Sequence, residues 1–269
     1  MPPRRRLDAE LVRRGLARSR EHAAALIAGG RVSVRGNAAS KPATGVDAAE
    51  PIVVVDNTTG EDDYVSRGGH KLAGCLDTFA SAGLTVEGRR CLDAGASTGG
   101  FTDVLLRRGA AQVVAIDVGY GQLAWSLRTD PRVIVLDRTN VRDLNPQVVG
   151  EPVDLVVADL SFISLRLVLA PLAACAAPEA DLVLMVKPQF EVGRDRVGKG
   201  GVVRDPSMRA EAVRSVASAA GEVGLGVAGV TASPLPGPSG NVEYFLWLRA
   251  NAPPADPAAV DRAVQEGPR

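Results

Sequence analysis

Twelve residues constrain this chain more than any others: Arg90-Cys91-Leu92-Asp93-Ala94-Gly95-Ala96-Ser97-Thr98-Gly99-Gly100-Phe101. The apolar start reads as a strand, the small residues as a tight turn, and Phe101 onward as a helix. Gly95, Gly99 and Gly100 let the backbone turn sharply and approach a ligand, while the free N–H groups opening the next helix can hold polar ligand atoms. The order is Asp93-x-Gly95-x-x-x-Gly99, with the strand-end carboxylate ahead of the glycines, unlike the G-x-G-x-x-G turn of dinucleotide folds. Such a turn suits a nucleotide-type cofactor; a purely structural turn in an α/β domain has the same composition.

The chain downstream repeats one theme. Helix Phe101 to Arg108 leads to a strand, Val113 to Ile116, ending at Asp117; Val133 to Leu136 ends at Asp137-Arg138-Thr139-Asn140. Val153 to Ala158 ends at Asp159-Leu160-Ser161-Phe162, and Leu182 to Val186 ends at Lys187-Pro188-Gln189-Phe190. Near-continuous apolar strands separated by helices describe a parallel sheet covered on both faces, with ligands at the carboxyl ends of the strands. Asp93, Asp117, Asp137, Asp159 and Lys187 all fall at such ends. Asp117 is expected to bind an adenosine ribose, or alternatively to cap the following turn, and Asp137 and Asn140 to flank an adenine. Helix Pro206 to Val223 and strands Val227 to Val230 and Glu243 to Leu248 complete a Rossmann-like α/β domain with a seven-stranded, mostly parallel sheet. Residues 191–203, Gly-rich and basic, read as a mobile flap able to grip substrate phosphates, and the Pro/Ala-rich tail from Ala250 as adding little to the chemistry.

The N-terminal segment differs. Leu7, Leu11, Val12 and Leu16 recur at helical spacing after Asp8, a candidate N-cap, and Ser19 starts a second helix that Gly29-Gly30 stops. Arg31 to Val34 and Ile52 to Val55 read as short strands around an Arg35-Gly36-Asn37 turn. The whole chain has a formal net charge of +0, yet residues 1–41 carry ten basic residues against three acidic ones, a net +7, and residues 42–65 carry six acids and no Lys or Arg. An arginine-rich patch is the footprint of phosphate recognition, and the absence of aromatic residues favours the backbone of folded RNA over stacked single strands. Arg5, Arg6, Arg14, Arg18, Arg20, Arg31 and Lys41, with Arg67 and Lys199 from the rest of the chain, are the candidate RNA ligands. Asp56 to Asp63 is polar and turn-forming; the expected division is a module over 1–60, a connection over 61–66, a main domain over 67–250 and a tail over 251–269.

Other features set limits. Cys75, Cys91 and Cys175 are odd in number and set among apolar residues, which points to reduced, buried thiols, and no metal cluster can be assembled from them with His22 and His70. The longest apolar runs are strand-sized and the N-terminus lacks a signal-peptide core, so a soluble cytoplasmic monomer without stable membrane association is expected. Lys71 opens a helix, where a cation opposes the helix dipole, which hints at function. The topology brings Asp159, Lys187 and Glu243 to one edge of the cofactor cleft. A lysine beside a second cation can serve as the base for an acceptor hydroxyl, with carboxylates orienting the ammonium groups.

Several motifs resemble known families. The Asp93–Gly99 turn resembles the cofactor motif of S-adenosylmethionine-dependent methyltransferases, which implies that Asp93, Gly95, Ala96, Ser97, Thr98, Gly99, Gly100 and Phe101 hold S-adenosylmethionine together with Asp117, Asp137, Asn140 and Asp159. Residues Arg6-Leu7-Asp8 through Gly30-Arg31-Val32-Ser33-Val34-Arg35-Gly36 resemble the S4 RNA-binding domain. The set Lys71, Asp159, Lys187 and Glu243 is similar to the tetrad of FtsJ-like ribose 2'-O-methyltransferases. With Ser66-Arg67-Gly68-Gly69-His70-Lys71-Leu72, Asp117-Val118-Gly119-Tyr120-Gly121-Gln122-Leu123 and Gly240-Asn241-Val242-Glu243-Tyr244, the chain resembles the TlyA (hemolysin A) family. That resemblance implies 2'-O-methylation of cytidine in ribosomal RNA of the 30S and 50S subunits, with Lys187 as base. Asp62-Asp63-Tyr64-Val65 stands where the family is expected to carry an Arg-x-Trp-Val linker. The competing functions are a membrane-damaging toxin, a non-catalytic RNA-binding regulator, and a methyltransferase for small molecules or proteins.

Overall fold

A computed structural model describes residues 4–17, 19–47, 49–54, 64–198, 200–237 and 239–268, and the chain divides into two compact units, Met1–Asp63 and Tyr64–Arg269. In the first unit β1 (Arg5–Arg6) pairs with β4 (Gly45–Val46), and β2 (Val32–Val34) lies between β3 (Asn37–Ala38) and β5 (Ile52–Val54) in an antiparallel sheet. Helices α1 (Leu7–Arg13) and α2 (Arg20–Ala28) bury Leu7, Leu11, Ala23, Leu26 and Ile27 with Val32 and Val46. Ser19 caps α2 by accepting a hydrogen bond from the His22 backbone N–H. Arg35 and Gly36, with φ of 52° and 79°, form the two-residue turn between β2 and β3, whose mirror-type geometry matches strand twist.

Asp8 is not the cap expected for α1. The helix starts two residues earlier, with Arg6 at the cap position, because Leu7 is drawn fully into the core, and Asp8 lies buried in the first turn with its carboxylate held by Arg6 and Arg20. A carboxylate there still faces the positive end of the helix dipole. Of the strand expected over Ile52 to Val55, Val55 lies outside the described residues.

The second unit is built on a seven-stranded sheet: β6 (Arg90–Ala94), β7 (Gln112–Ile116), β8 (Val133–Leu136), β9 (Val153–Ala158), β10 (Ala176–Val186), β11 (Leu225–Ala232) and β12 (Tyr244–Ala250). Their order is β11-β12-β10-β9-β6-β7-β8, with β8, β7, β6, β9 and β10 parallel and β12 antiparallel to both its neighbours. Alternate residues serve opposite faces: Leu92, Val114, Val156 and Leu184 join one core cluster, and Cys91, Val113, Leu155 and Val183 the other. This period of two with both faces buried is why the strands read as continuous apolar runs. The second of these faces is covered by α3 (Arg67–Ala80) and α4 (Gly100–Arg107), and the first by α7 (Leu169–Ala174), α9 (Pro206–Glu222) and α10 (Pro257–Glu266). Short helices α5 (Trp125–Arg128), α6 (Pro146–Val149) and α8 (Pro188–Glu191) sit in the connections. All three cysteines are buried free thiols.

The C-terminal tail is part of the fold: α10, capped by Asp256, buries Val260, Ala263 and Val264 in the same core as α9. Strand β10 begins at Ala176 rather than Leu182, and Asp181 within it is fully buried because Trp247, Arg89 and Arg249 all donate to its carboxylate. The ends of the 191–203 segment are anchored: Val192 and Val203 are buried, Glu191 accepts from Ser164 and the Leu165 N–H, and Asn241 joins the Val203 N–H to the Gly201 carbonyl. Residues Tyr64 to Ser66 belong to the second unit. The Tyr64 ring is buried, fits where Gly69 lacks a side chain, and meets His70 edge-on at 5.2 Å.

Candidate active site

Strand order reverses between β6 and β9, so the two chains leaving those strands diverge and open a crevice at their carboxyl ends. Gly95 follows β6 with φ of 85°, and a Cβ on it would lie 2.7 Å from the Asp159 carbonyl oxygen after β9. Only glycine lets the two segments approach this closely. Gly99, with φ of 101°, caps α4 and leaves space for the Leu123 and Leu127 side chains. Ser97 holds φ of 50°, and its N–H donates to Asp117 Oδ2 at 2.8 Å while Gly119 N–H donates to Asp117 Oδ1 at 2.7 Å. Asp117 Oδ2 therefore braces the glycine turn, while Oδ1 holds Asp117's own loop.

Asp93 is fully buried below this turn. Its Oδ2 accepts from the Thr102 hydroxyl at 2.7 Å, whereas Oδ1 has no hydrogen-bond partner. Burial pushes its carboxyl up to about 7, reinforced by the charges of Asp159 and Asp117 and opposed by Thr102. A cavity of about 530 Å³ beside the turn is lined by Gly95, Ser97, Asp117, Asn140 and Asp159 among others. Asn140 also caps the next turn through the Arg142 N–H. Asp137 is not in that lining; it pairs with Arg128 at 2.9 Å, and this contact holds its carboxyl below the usual range. The polar groups around this cavity, Ser97, Asp117, Asn140 and Asp159 beside the bare backbone of Gly95, fit a polar nucleoside-bearing cofactor.

A second cavity, of about 340 Å³, is lined by Gly95, Ala96, Ser97, Thr98, Gly100 and Phe101 and by all of Lys71, Asp159, Lys187 and Glu243. Lys71, in α3, donates to Glu243 Oε2 at 2.6 Å; Lys187 Nζ lies 2.6 Å from Asp159 Oδ1 and donates to Ser161 Oγ at 2.9 Å. The Lys187–Asp159 contact is ionic, its angles falling outside those of a hydrogen bond. Glu243 reaches this edge because β12 is antiparallel: Tyr244 pairs with Val186, so the residue before β12 stands beside the residue after β10. The arrangement is two lysine–carboxylate pairs, not two lysines facing each other without counter-charge. Buried ion pairs are a poor source of stability, which favours a functional reason for placing two of them on one cavity.

Ser161 and Phe162 follow the strand-end Asp159 in the Ala158-Asp159-Leu160-Ser161-Phe162 stretch, and sequence reasoning assigns neither of them to the site. Phe162 has φ of 64°, is 91% exposed, and its ring lies 5.3 Å from that of Phe190. A non-glycine residue held in the left-handed region beside a cavity is characteristic of functional sites.

In the first unit, the arginines expected to be phosphate ligands are largely engaged internally. Arg6 and Arg20 hold Asp8, and Arg14 holds Glu10 and the Glu50 and Asp47 carbonyls. Arg13 and Arg35 pair likewise with Glu10 and Glu50. Asp8, Glu10 and Glu50 are buried, and each needs these counter-charges. Arg6 and Arg20 keep 52% and 60% of their side chains exposed, against 20% for Arg14, so the first two can still present a face to phosphate. Arg5 and Lys41 are exposed, and Arg31 is partly buried. Arg67 is exposed and lines the tetrad cavity. Arg18 and Lys199 lie outside the described residues. Among the described residues no three His, Cys, Asp or Glu side chains could hold a metal ion, and no helix is long and apolar enough to cross a membrane.

The glycine turn, the paired lysines and the sheet order together define a methyltransferase of the FtsJ-like class. Residues 64–250 match the FtsJ-like methyltransferase family and residues 5–52 match the S4 domain. The chain is 62% identical, over all of both proteins, to the 16S/23S rRNA (cytidine-2'-O)-methyltransferase TlyA of Mycobacterium tuberculosis. It is 38% identical to Hemolysin A of Brachyspira hyodysenteriae, covering 89% of this chain and 98% of that one. A solved hemolysin-type protein of Streptococcus thermophilus shares the fold with a TM-score of 0.76 and 36% identity, covering 99% of this chain and 96% of that one. The chain belongs to the FtsJ-like methyltransferase family and, within it, to the TlyA group. It is a methyltransferase whose methyl donor is S-adenosylmethionine.

Proposed function

We propose that the protein methylates the ribose 2'-hydroxyl of cytidine in ribosomal RNA of both the 30S and 50S subunits, acting as a cytoplasmic monomer. The observation that carries this reading is the pair of contacts Lys71–Glu243 and Lys187–Asp159 on one cavity floored by the glycine turn. The full-length relative from Mycobacterium tuberculosis, which is named for both rRNAs and for cytidine, supports the substrate. S-adenosylmethionine, when bound, supplies an electrophilic methyl on a sulfonium. Gly95 through Phe101 with Asp117 and Asn140 hold it, and the side chains across the cavity hold the acceptor.

In this reading Lys187 and Ser161 would receive the 2'-hydroxyl, and Lys187 would take the hydroxyl proton at Nζ as the carbon–oxygen bond forms and the carbon–sulfur bond of the sulfonium breaks. Asp159 then faces the resulting ammonium at contact distance. Lys71, fixed by Glu243, provides a second donor for the ribose. Holding both reactants in line supplies much of the acceleration. The first unit, through Arg5, Arg6, Arg20, Arg31 and Lys41, and Arg67 beside the cavity, grips the RNA backbone.

The test is transfer of labelled methyl from S-adenosylmethionine to purified 30S and 50S subunits, followed by nucleoside mass spectrometry. Label recovered as 2'-O-methylcytidine from both subunits is expected. Label on a base, on another nucleoside, or on protein alone would sink the proposal.

A further inference from the structure

The loops leaving β9 and β10 run in step. Asp159 and Lys187 open them as an ion pair, and three residues on, the Phe162 and Phe190 rings stand 5.3 Å apart at 49°. The two rings form part of the wall of a separate cavity of about 350 Å³, lined by Phe162, Ile163, Ser164, Gln189, Phe190 and Val197 together with glycines of the 191–203 segment. Two polar side chains face it. Ser164 is already engaged, donating to Glu191 Oε2 at 2.5 Å and accepting from Arg166 Nε at 3.2 Å. Gln189 is not: its Oε1 is buried and accepts no hydrogen bond.

A buried amide oxygen without a donor has given up its hydration and gained nothing in exchange, so such groups point to a partner that arrives from outside. The walls define that partner's chemistry. Two phenyl rings and an isoleucine suit a flat aromatic ring, and the acceptor calls for an N–H on its edge. Gly201 in its wall is held in place, because Asn241 ties the Val203 N–H and the Gly201 carbonyl together at 2.9 and 2.8 Å.

We infer that this cavity receives the base of the acceptor nucleotide and that Gln189 Oε1 reads the exocyclic amino group of cytosine. The inference rests on the reading that the acceptor ribose lies at Lys187 and Asp159. A ribose at Lys187 has its base within reach of a side chain two residues along the same loop. Cytosine offers an amino group to the amide oxygen and a ring nitrogen to the amide N–H₂; uracil offers a carbonyl where the amino group would be, oxygen against oxygen.

The test uses the full-length protein and ribosomal subunits carrying either cytidine or uridine at the position that the wild-type protein methylates. The wild type should favour cytidine by roughly 10- to 100-fold in kcat/KM. Gln189→Glu keeps an acceptor for the amino group but loses the N–H₂ that meets the ring nitrogen, and should keep only part of that preference. Gln189→Leu should lose roughly 10- to 100-fold on cytidine and bring the cytidine-to-uridine ratio close to one, with S-adenosylmethionine affinity and thermal unfolding unchanged in both variants. A Gln189→Leu protein with wild-type rate and wild-type ratio overturns the inference, as do equal wild-type rates on the two substrates. Absence of any ribose methylation by the wild type overturns the reading beneath it, and the inference with it.

Discussion

Lys71 and Glu243, 172 positions apart in the chain, meet at 2.6 Å with both side chains almost fully buried. Removing one partner strands the other's charge. Glu243→Ala should therefore lower unfolding free energy by about 3–5 kcal/mol and abolish methyl transfer. The double variant Lys71→Met/Glu243→Leu should recover most of that stability without recovering activity. Denaturant unfolding and a methyl-transfer assay on the same preparations separate the two roles; recovery of activity by the double variant would reduce the pair to a structural one.

Asp93 gives the second unit a distinctive pH response. Its folded-state carboxyl is raised to about 7 against an ordinary 3.8. The folded protein thus keeps a proton that the unfolded chain has released, and the stability this group contributes is fully present below about pH 4 and vanishes as pH rises through about 7. Asp93→Asn holds no titrating group there. The stability difference between wild type and Asp93→Asn should shift against the wild type by a few kcal/mol between about pH 4 and 7 and stay flat above. A difference independent of pH in that window contradicts the assignment.

Asp117 spends its two carboxylate oxygens on the Ser97 and Gly119 amides. Asp117→Ala should weaken S-adenosylmethionine binding about 10-fold or more, since it both loosens the turn and removes a residue of the cofactor cavity. The fold should lose only about 1–2 kcal/mol. Isothermal titration calorimetry together with thermal unfolding checks this; unchanged affinity would show that the turn holds its shape without the brace.

In the first unit, surface and scaffold arginines should separate. Arg5→Glu and Lys41→Glu leave the ion pairs of Asp8, Glu10 and Glu50 in place, and should weaken binding to ribosomal RNA. The slope of log affinity against log salt should fall by about one for each phosphate no longer neutralised. Arg14→Glu strikes Glu10 and the Glu50 carbonyl and should unfold the module instead. Filter binding across a salt series, with circular dichroism of each variant, distinguishes these outcomes. Equal behaviour of the two classes contradicts the division.

Much of this molecule is legible in its sequence for identifiable reasons. Strands buried on both faces declare themselves as apolar runs, and their polar ends follow from where the runs stop. Gly95 and Gly99 are visible because no other residue adopts φ of 85° and 101° there without strain. Partner choice among charges is not legible. Arg14 and Arg5 look alike in sequence, yet one closes over Glu10 and the other is exposed. The 191–203 segment reads as loose because its anchor, Asn241, lies 38 residues beyond Val203. Gln189 stands in the sequence only as part of the Lys187-Pro188-Gln189-Phe190 strand end, with no role of its own; its buried amide oxygen without a partner is what singles it out.

The central claim is that Lys187, set 2.6 Å from Asp159 and 2.9 Å from Ser161, handles the acceptor proton. The measurement that tests it most directly is the single-turnover rate of 2'-O-methylcytidine formation on ribosomal subunits by wild type and Lys187→Ala, both saturated with S-adenosylmethionine and subunit. The rate should fall by roughly 100-fold or more, as for loss of a general base and its positioning, while the affinities for cofactor and subunit hold. A Lys187→Ala protein that methylates cytidine at the wild-type rate would contradict the account.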